Sequence, residues 1–358
     1  MAYRNSVIIG TGSFLPEKVI DNSYFLNHTF YKHDGTKVTK PTEQIVQKLE
    51  EISGIESRRY AGDNTDTVQL AVYASEQAIE DAGIDKETID GVILAHNFGN
   101  LKSGLDYPLL LPNLAALVKN RLKIKNHQCF AYDILFGCPG WVQAMIQADQ
   151  AIKAGAAKNI LVIGVEILSR IVDNHDLDSM LFGDGSGATV VQAQESDSSK
   201  GILASHTYSH CMDDVNFLKM GSSYNDEKDE EEMFIKMVGR NVYRYAVTHV
   251  PNLITECLAK SNTKIEEIDM FLFHQANAKM IKAIGEKLFK IHNYDGDYNS
   301  LVPITLQQTG NSSVATVPTL LDNVLRDDLE GFNIKEGDKV LFAAVGSGMH
   351  ANCIIYQF

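Results

Sequence analysis

Four short, unbroken apolar runs punctuate the chain: Val92-Ile93-Leu94-Ala95, Ile160-Leu161-Val162-Ile163, Phe271-Leu272-Phe273 and Val340-Leu341-Phe342-Ala343. Runs of this kind suit strands buried on both faces, between layers of helices. Amphipathic stretches at helical spacing lie between them, such as Val68 to Ala82 and Trp141 to Ala154. The pattern predicts an α/β chain.

The runs also repeat. Ile89-Asp90-Gly91-Val92-Ile93-Leu94 matches Ile268-Asp269-Met270-Phe271-Leu272-Phe273 at an offset of 179 residues, and an apolar helical stretch precedes both. At the same offset Cys138-Pro139-Gly140 falls on Val317-Pro318-Thr319, with each proline placed to open a helix. At an offset of 180, Ile160 to Ile163 falls on Val340 to Ala343. Three matches in order divide the chain into two similar halves, 1–195 and 196–358. Chance matching of short apolar runs is the alternative reading. The acidic run Asp226 to Glu232 reads as a solvated loop or, more sharply, as a partner-selecting segment.

Composition then narrows the classes. The 358 residues are 44% hydrophobic, enough for one large or two ordinary domains with real cores. With 46 acidic and 32 basic side chains, the net charge is −14. That field repels nucleic acid and anionic membrane surfaces. No apolar run reaches the ~18 residues of a membrane helix. The start of the chain lacks a secretory apolar region. Five scattered cysteines, an odd number without a CxxC pair, argue against a disulfide framework or a cysteine zinc site. The 11 histidines show no HExxH spacing, so no metal is expected. Gly10-Thr11-Gly12-Ser13 lacks the third glycine of a dinucleotide fingerprint. A cytoplasmic protein in a reducing compartment is expected.

Candidate chemistry begins at Cys138, between Tyr132-Asp133-Ile134-Leu135-Phe136-Gly137 and Pro139-Gly140-Trp141. Helical spacing follows it, so the sulfur falls at a strand-to-helix turn. Helix N-termini stabilise a thiolate and lower its pKa. A small buried hydrophobe is the competing reading. His274-Gln275-Ala276-Asn277 follows the run Phe271 to Phe273, at the carboxyl end of a strand, where α/β ligand sites form. Gly310-Asn311-Ser312-Ser313 holds an asparagine that could equally be a turn residue or a helix cap.

Together these segments resemble the 3-oxoacyl-acyl-carrier-protein synthase III family, within the thiolase-like condensing enzymes. Gly10-Thr11-Gly12-Ser13-Phe14-Leu15-Pro16, Gly54-Ile55-Glu56-Ser57-Arg58-Arg59 and Phe182-Gly183-Asp184-Gly185-Ser186-Gly187-Ala188 extend the likeness over nearly the whole chain. The resemblance implies a thiolase-like fold, two duplicated α/β halves in an α-β-α-β-α arrangement. It implies an acyltransferase of fatty-acid biosynthesis that joins an enzyme-bound acyl group to malonyl-acyl-carrier protein by decarboxylative Claisen condensation. Cys138 would be the acyl-accepting nucleophile, with His274 and Asn311 completing the constellation as enolate donors. A second oxyanion hole would use the backbone N–H of Cys138 and one from Ser347 or Gly348. Acyl-coenzyme A or acyl-carrier protein would be the donor, with no separate cofactor. A homodimer is implied.

The departures bear on specificity. The family's alanine-rich approach to its cysteine is replaced by Leu135-Phe136-Gly137. Lys48 and Ile52 stand where priming enzymes clamp the adenine of coenzyme A with a tryptophan and an arginine. Arg170 matches the arginine on the other side of that adenine, Lys279 a basic position of the carrier-docking rim, and Leu111 the bulky acyl-pocket gate. Lys279, Lys282 and Lys290 would share one helix face, which is either a carrier-docking patch or an ordinary solvated face. The stretch from Asn27 to Glu43 fits the family poorly and is expected near the pocket entrance. These departures leave two alternatives: a specialised ketosynthase joining long or aromatic acyl chains, or a non-catalytic partner subunit, the latter opposed by the intact cysteine.

Overall fold

The computed structural model describes residues 4–105, 107–195, 200–225 and 232–358; most of the acidic run at 226–232 lies outside the described residues. Strands β1 (Arg4–Phe14), β2 (Gly91–Ala95), β3 (Phe130–Ile134), β4 (Asn159–Ile167) and β5 (Asp184–Glu195) form one sheet in the order β1-β5-β4-β2-β3. Strand β2 pairs in parallel with β3 and β4, while β5 runs antiparallel to β4 and β1. Strands β6 (Gly201–Ser209), β7 (Met270–Phe273), β8 (Lys339–Gly346) and β9 (His350–Gln357) form the second sheet, ordered β7-β8-β9-β6. There β7 and β8 are parallel, and β9 is antiparallel to both β8 and β6. The Gly10–Ser13 segment lies inside β1, continuous strand rather than a phosphate-cradling turn.

Among the helices packed on these sheets are α1 (Thr67–Ala82), α2 (Gly140–Lys153), α3 (Gly239–Ser261), α4 (Ala278–His292) and α5 (Thr316–Leu325). The period-2 alternation of strand side chains explains the layering. From β2, Ile93 and Ala95 join Trp141, Met145, Leu320 and Val324 of α2 and α5, together with Met270, Leu272 and Phe342 of the second sheet. Helices α2 and α5 therefore fill the space between the two sheets. The alternate residues Val92 and Leu94 face outward against Val68, Ala71 and Ala78 of α1. Phe271 and Phe273 likewise face Leu253, Ile254, Ile281 and Leu288 of α3 and α4. Two sheets between three helical layers result, with both faces of each central strand dry, which is why those runs show no polar alternation.

The helix starts are fixed locally. Asp66 accepts from Gln69 N–H at the head of α1, and Asn277 from Met280 N–H at the head of α4. At α2 Pro139 stands at the N-cap, and its carbonyl accepts from Asn352 Nδ2 of β9 at 2.9 Å. That bond ties the Cys138-Pro139 turn to the second sheet. The stretch 27–43 sits apart from both sheets: Phe30 packs with Ile20, Phe25, Val46 and Met180 in a small separate core.

Candidate active site

The carboxyl ends of the parallel strands converge on one cavity of ≈ 340 Å³. Asn97 follows β2, Cys138 follows β3, His274 follows β7, and the Gly346-Ser347-Gly348 turn ends β8. All of these, with Asn311 and Ser313, line that cavity. The remaining wall is mostly apolar, including Phe98, Phe136, Phe182, Leu218, Met220 and Val345, with Lys219 and His350 as its charged or titratable members.

Two glycines let the Cys138 turn meet the β8 turn backbone to backbone. Gly137 has φ +64°, and a Cβ there would lie 2.6 Å from Ser347 N. A Cβ on Gly346 would lie 2.5 Å from Cys138 N. No side chain fits at either place, so the amides of Cys138 and Ser347 are held side by side at the cavity wall.

Cys138 is partly exposed, and the Ser313 hydroxyl donates to its sulfur at 3.2 Å. Burial pushes the thiol up to about 11, with the Glu166 carboxylate adding to the rise against the Ser313 bond. The sequence reading of a lowered pKa at a helix start is therefore corrected. The helix start is a local feature, whereas burial, the largest cause here, acts the other way.

His274 is buried, and burial drives its pKa down to about 3, so the imidazole is neutral. Its Nδ1 lies 2.6 Å from Thr316 Oγ1, which leaves Nε2 for the cavity. Thr316 Oγ1 also donates to the Ser313 carbonyl at 3.0 Å. A hydroxyl has one proton. While it serves Ser313, Nδ1 must be the N–H and Nε2 a bare acceptor. When it turns to Nδ1, Nε2 carries the proton and becomes a donor. The simple picture of a neutral imidazole always donating into the site is thereby refined. Asn311 is settled by its neighbour: its Oδ1 accepts from Ser313 N–H at 2.8 Å, which leaves the amide N–H groups for the cavity.

The other candidate residues lie further out. Lys279 lines a second cavity of ≈ 430 Å³ with Leu49, Ile52, Asp178 and Arg240; Met237, Val242, Ala276, Met280 and Asn311 are common to both cavities. Arg170 reaches neither; its guanidinium donates to the Leu101 and Gly62 carbonyls, both at 2.8 Å. Lys48 pairs with Glu51 at 2.9 Å. Leu111 is 89% exposed on a loop with exposed Tyr107 and Leu110, outside the cavity lining of its own chain. Among the described residues no group of His, Cys, Asp or Glu side chains could hold a metal ion. Sequence reading missed Thr316, Ser313, Asn97 and Glu166. Ser313 had one faint signal, its place beside Asn311 in the Gly310-Asn311-Ser312-Ser313 motif.

The comparisons with known proteins agree with one another. Residues 132–211 match the family model of 3-oxoacyl-[acyl-carrier-protein] synthase III, and residues 258–358 match the model of its C-terminal part. The chain is 35% identical over 355 residues to beta-ketoacyl-[acyl-carrier-protein] synthase III 1 of Vibrio vulnificus, covering 99% of each chain. It is 32% identical over 354 residues to the corresponding protein of Salmonella paratyphi B, covering 98% of this chain and 99% of that one. The crystal structure of 3-oxoacyl-[acyl-carrier-protein] synthase III from Aquifex aeolicus superposes with a TM-score of 0.79 at 31% identity, over 99% of this chain and 100% of that one.

Proposed function

The chain belongs to the 3-oxoacyl-[acyl-carrier-protein] synthase III family, and on that premise we propose that it extends an acyl group held on Cys138 with malonyl-acyl-carrier protein. The observation that carries this reading is the convergence of Cys138, His274 and Asn311 on one largely apolar cavity. The thiol attacks the donor thioester as its proton passes to His274 Nε2, the unprotonated nitrogen while Thr316 donates to Ser313. A concerted transfer suits two groups whose charged forms burial disfavours. The departing thiolate of the donor takes that proton. The amides of Cys138 and Ser347 or Gly348 receive the carbonyl oxygen.

In the second half, malonyl-acyl-carrier protein loses CO₂ and leaves an enolate. The Asn311 amide donates to its oxygen, and so does His274 Nε2–H once the imidazole has released its Nδ1 proton to water, taken one from water at Nε2, and received the Thr316 hydroxyl at Nδ1. The enolate carbon attacks the Cys138 thioester, the 3-oxoacyl thioester leaves, and the released thiolate takes up one proton.

The second cavity is the approach for the substrate's thioester arm, with Lys279 at its lining. Ile52 and the engaged Lys48 and Arg170 offer a coenzyme A nucleotide little grip, which favours a carrier-bound or longer acyl donor. Lys279, Lys282 and Lys290 are exposed on α4 and would meet an acidic carrier, with Lys282 paired to Glu286 at 3.8 Å. Exposed Tyr107, Leu110 and Leu111 suit burial against a second copy of the chain, which would bring Leu111 to the neighbour's acyl pocket. Five free cysteines fit the cytoplasm, and among the described residues no helix is long and apolar enough to cross a membrane.

The test is product formation. Malonyl-acyl-carrier protein and a panel of coenzyme A- and carrier-bound acyl donors should yield a 3-oxoacyl thioester two carbons longer than the donor, and Lys279→Glu with Lys282→Glu should raise KM for carrier-bound substrates several-fold while sparing kcat. Absence of product with every donor would overturn the activity. An unchanged KM would remove the docking role of α4.

A further inference from the structure

Glu166 is a carboxylate that the reaction above does not use, yet it sits 1% exposed at the end of β4, beside the nucleophile. Asn97 Nδ2 donates to Glu166 Oε1 at 2.6 Å and to Ser313 Oγ at 3.1 Å. Ser313 Oγ in turn donates to Cys138 Sγ at 3.2 Å. The chain of bonds runs from β4 to the loop after β2, then to the turn before α5, then to Cys138.

The direction of these bonds carries chemical content. Above its pKa of about 8 Glu166 is a carboxylate that can only accept, so there it draws the amino end of the Asn97 amide toward itself rather than its carbonyl. An amino group has two protons, and the second goes to a lone pair of Ser313 Oγ. With that lone pair occupied by a donor, the one hydroxyl proton of Ser313 is left to point at sulfur. This is the polarity that stabilises a thiolate. Reversing the Asn97 amide would put its carbonyl against Oγ and compete with the sulfur for the hydroxyl proton.

Ser313 is also wired to the other two members of the constellation. Its N–H holds Asn311 Oδ1, and its carbonyl accepts from the Thr316 hydroxyl that touches His274. It does so at φ +51°, in the left-handed region that a non-glycine residue occupies only when its surroundings demand it. The loop carrying Asn97 is locked as well: His96 Nδ1 accepts from Gly99 N–H at 3.0 Å, so its Nε2–H faces Asp133 at 3.1 Å.

We propose that Ser313 is a catalytic hydrogen-bond donor to the Cys138 sulfur, and that Asn97 and Glu166 are positioning residues that fix the direction of its hydroxyl. The proposal rests on Cys138 being the nucleophile. Glu166 also acts on the sulfur through its charge. Burial and the nearby Asp184 raise the Glu166 pKa to about 8, and the ionised carboxylate opposes the thiolate. The other titratable groups on the cavity wall are His274, His350 and Lys219. The two influences of Glu166 therefore have opposite signs, orientation favouring the thiolate and charge opposing it.

That opposition gives the test. The rate of iodoacetamide alkylation at Cys138, followed by peptide mass across pH, reads the ionisation of the sulfur whether or not a thioester ever loads there. Failure of the relay is thus distinguishable from failure of the nucleophile assignment. Ser313→Ala should lower the alkylation rate at a fixed pH below the midpoint about tenfold or more, and shift the midpoint upward. Asn97→Ala should act in the same direction and add little to Ser313→Ala in the double variant. Glu166→Gln keeps an oxygen for Asn97 but removes the charge, so it should raise the rate above about pH 8, where Glu166 is ionised. A purely structural role would lower the rate in all three. An unchanged rate in Ser313→Ala, additive losses in the double variant, or a slower Glu166→Gln would each overturn the proposal. If Ser313→Ala gives no cooperative thermal transition, the opposite shifts of Asn97→Ala and Glu166→Gln decide the matter.

Discussion

Asn311→Ala should take up an acyl group on Cys138 and then stall before the carbon–carbon bond forms. The Asn311 amide oxygen is committed to Ser313 N–H at 2.8 Å, so its N–H groups are the part that reaches the cavity. An amide keeps those protons at any working pH, and the buried site costs no reorganisation when charge develops on the enolate. Removing one such donor typically costs ~10²–10³ in rate. The expected result is a loss of that size in CO₂ release from malonyl-acyl-carrier protein, with acyl-enzyme formation near the native rate by intact mass. His274→Ala should show the same defect in decarboxylation and a slower acylation besides, because Nε2 also receives the thiol proton. Equal losses in both half-reactions for Asn311→Ala would place its role at acyl loading instead.

Gly346→Ala should be one of the most damaging single methyls in the site. Gly346 has an extended backbone, φ −170°, that any residue adopts, so the cost is purely steric. The added Cβ would stand 2.5 Å from Cys138 N, 2.8 Å from Pro139 Cδ and 3.0 Å from Cys138 Cβ. These atoms belong to the turn and proline ring that open α2, and Asn352 holds that turn by its bond to the Pro139 carbonyl. Relief must come by moving Cys138 away from β8 and separating the two turns. Overpacking of this kind typically costs about 1–3 kcal/mol of stability. A misplacement near 1 Å costs on the order of 10² in rate. The acylation step should therefore fall on the order of 100-fold, with a measurable drop in melting temperature. A lowered melting temperature with native acylation would mean that the amide pair does not serve the carbonyl oxygen.

Much of the architecture was legible because it rests on local pattern. The unbroken runs at Val92, Ile160, Phe271 and Val340 became β2, β4, β7 and β8, and the near-constant offset between them reflects two sheets of similar strand order. Short motifs also brought out Cys138, His274 and Asn311, which sit within one or a few residues of a strand end or helix start. What was not legible depends on contacts between distant segments. Asn97 meets Ser313 across 216 residues of sequence, and Ser313 meets Cys138 across 175. No periodicity records such a meeting. The thiol pKa was misjudged for the same reason, since a helix start can be read from neighbours but burial depends on the whole packing. Leu109-Leu110-Leu111 shows the converse limit: an apolar run can just as well lie on the surface, and its burial depends on what covers it.

The central claim is that Cys138 carries the acyl group between the two half-reactions. Brief exposure of the native protein to an acyl thioester should add one acyl mass, located by peptide mapping on Cys138, and Cys138→Ala should gain none with any donor. An acyl group retained by Cys138→Ala, or found in the native protein on another side chain such as the exposed Cys211, would contradict it.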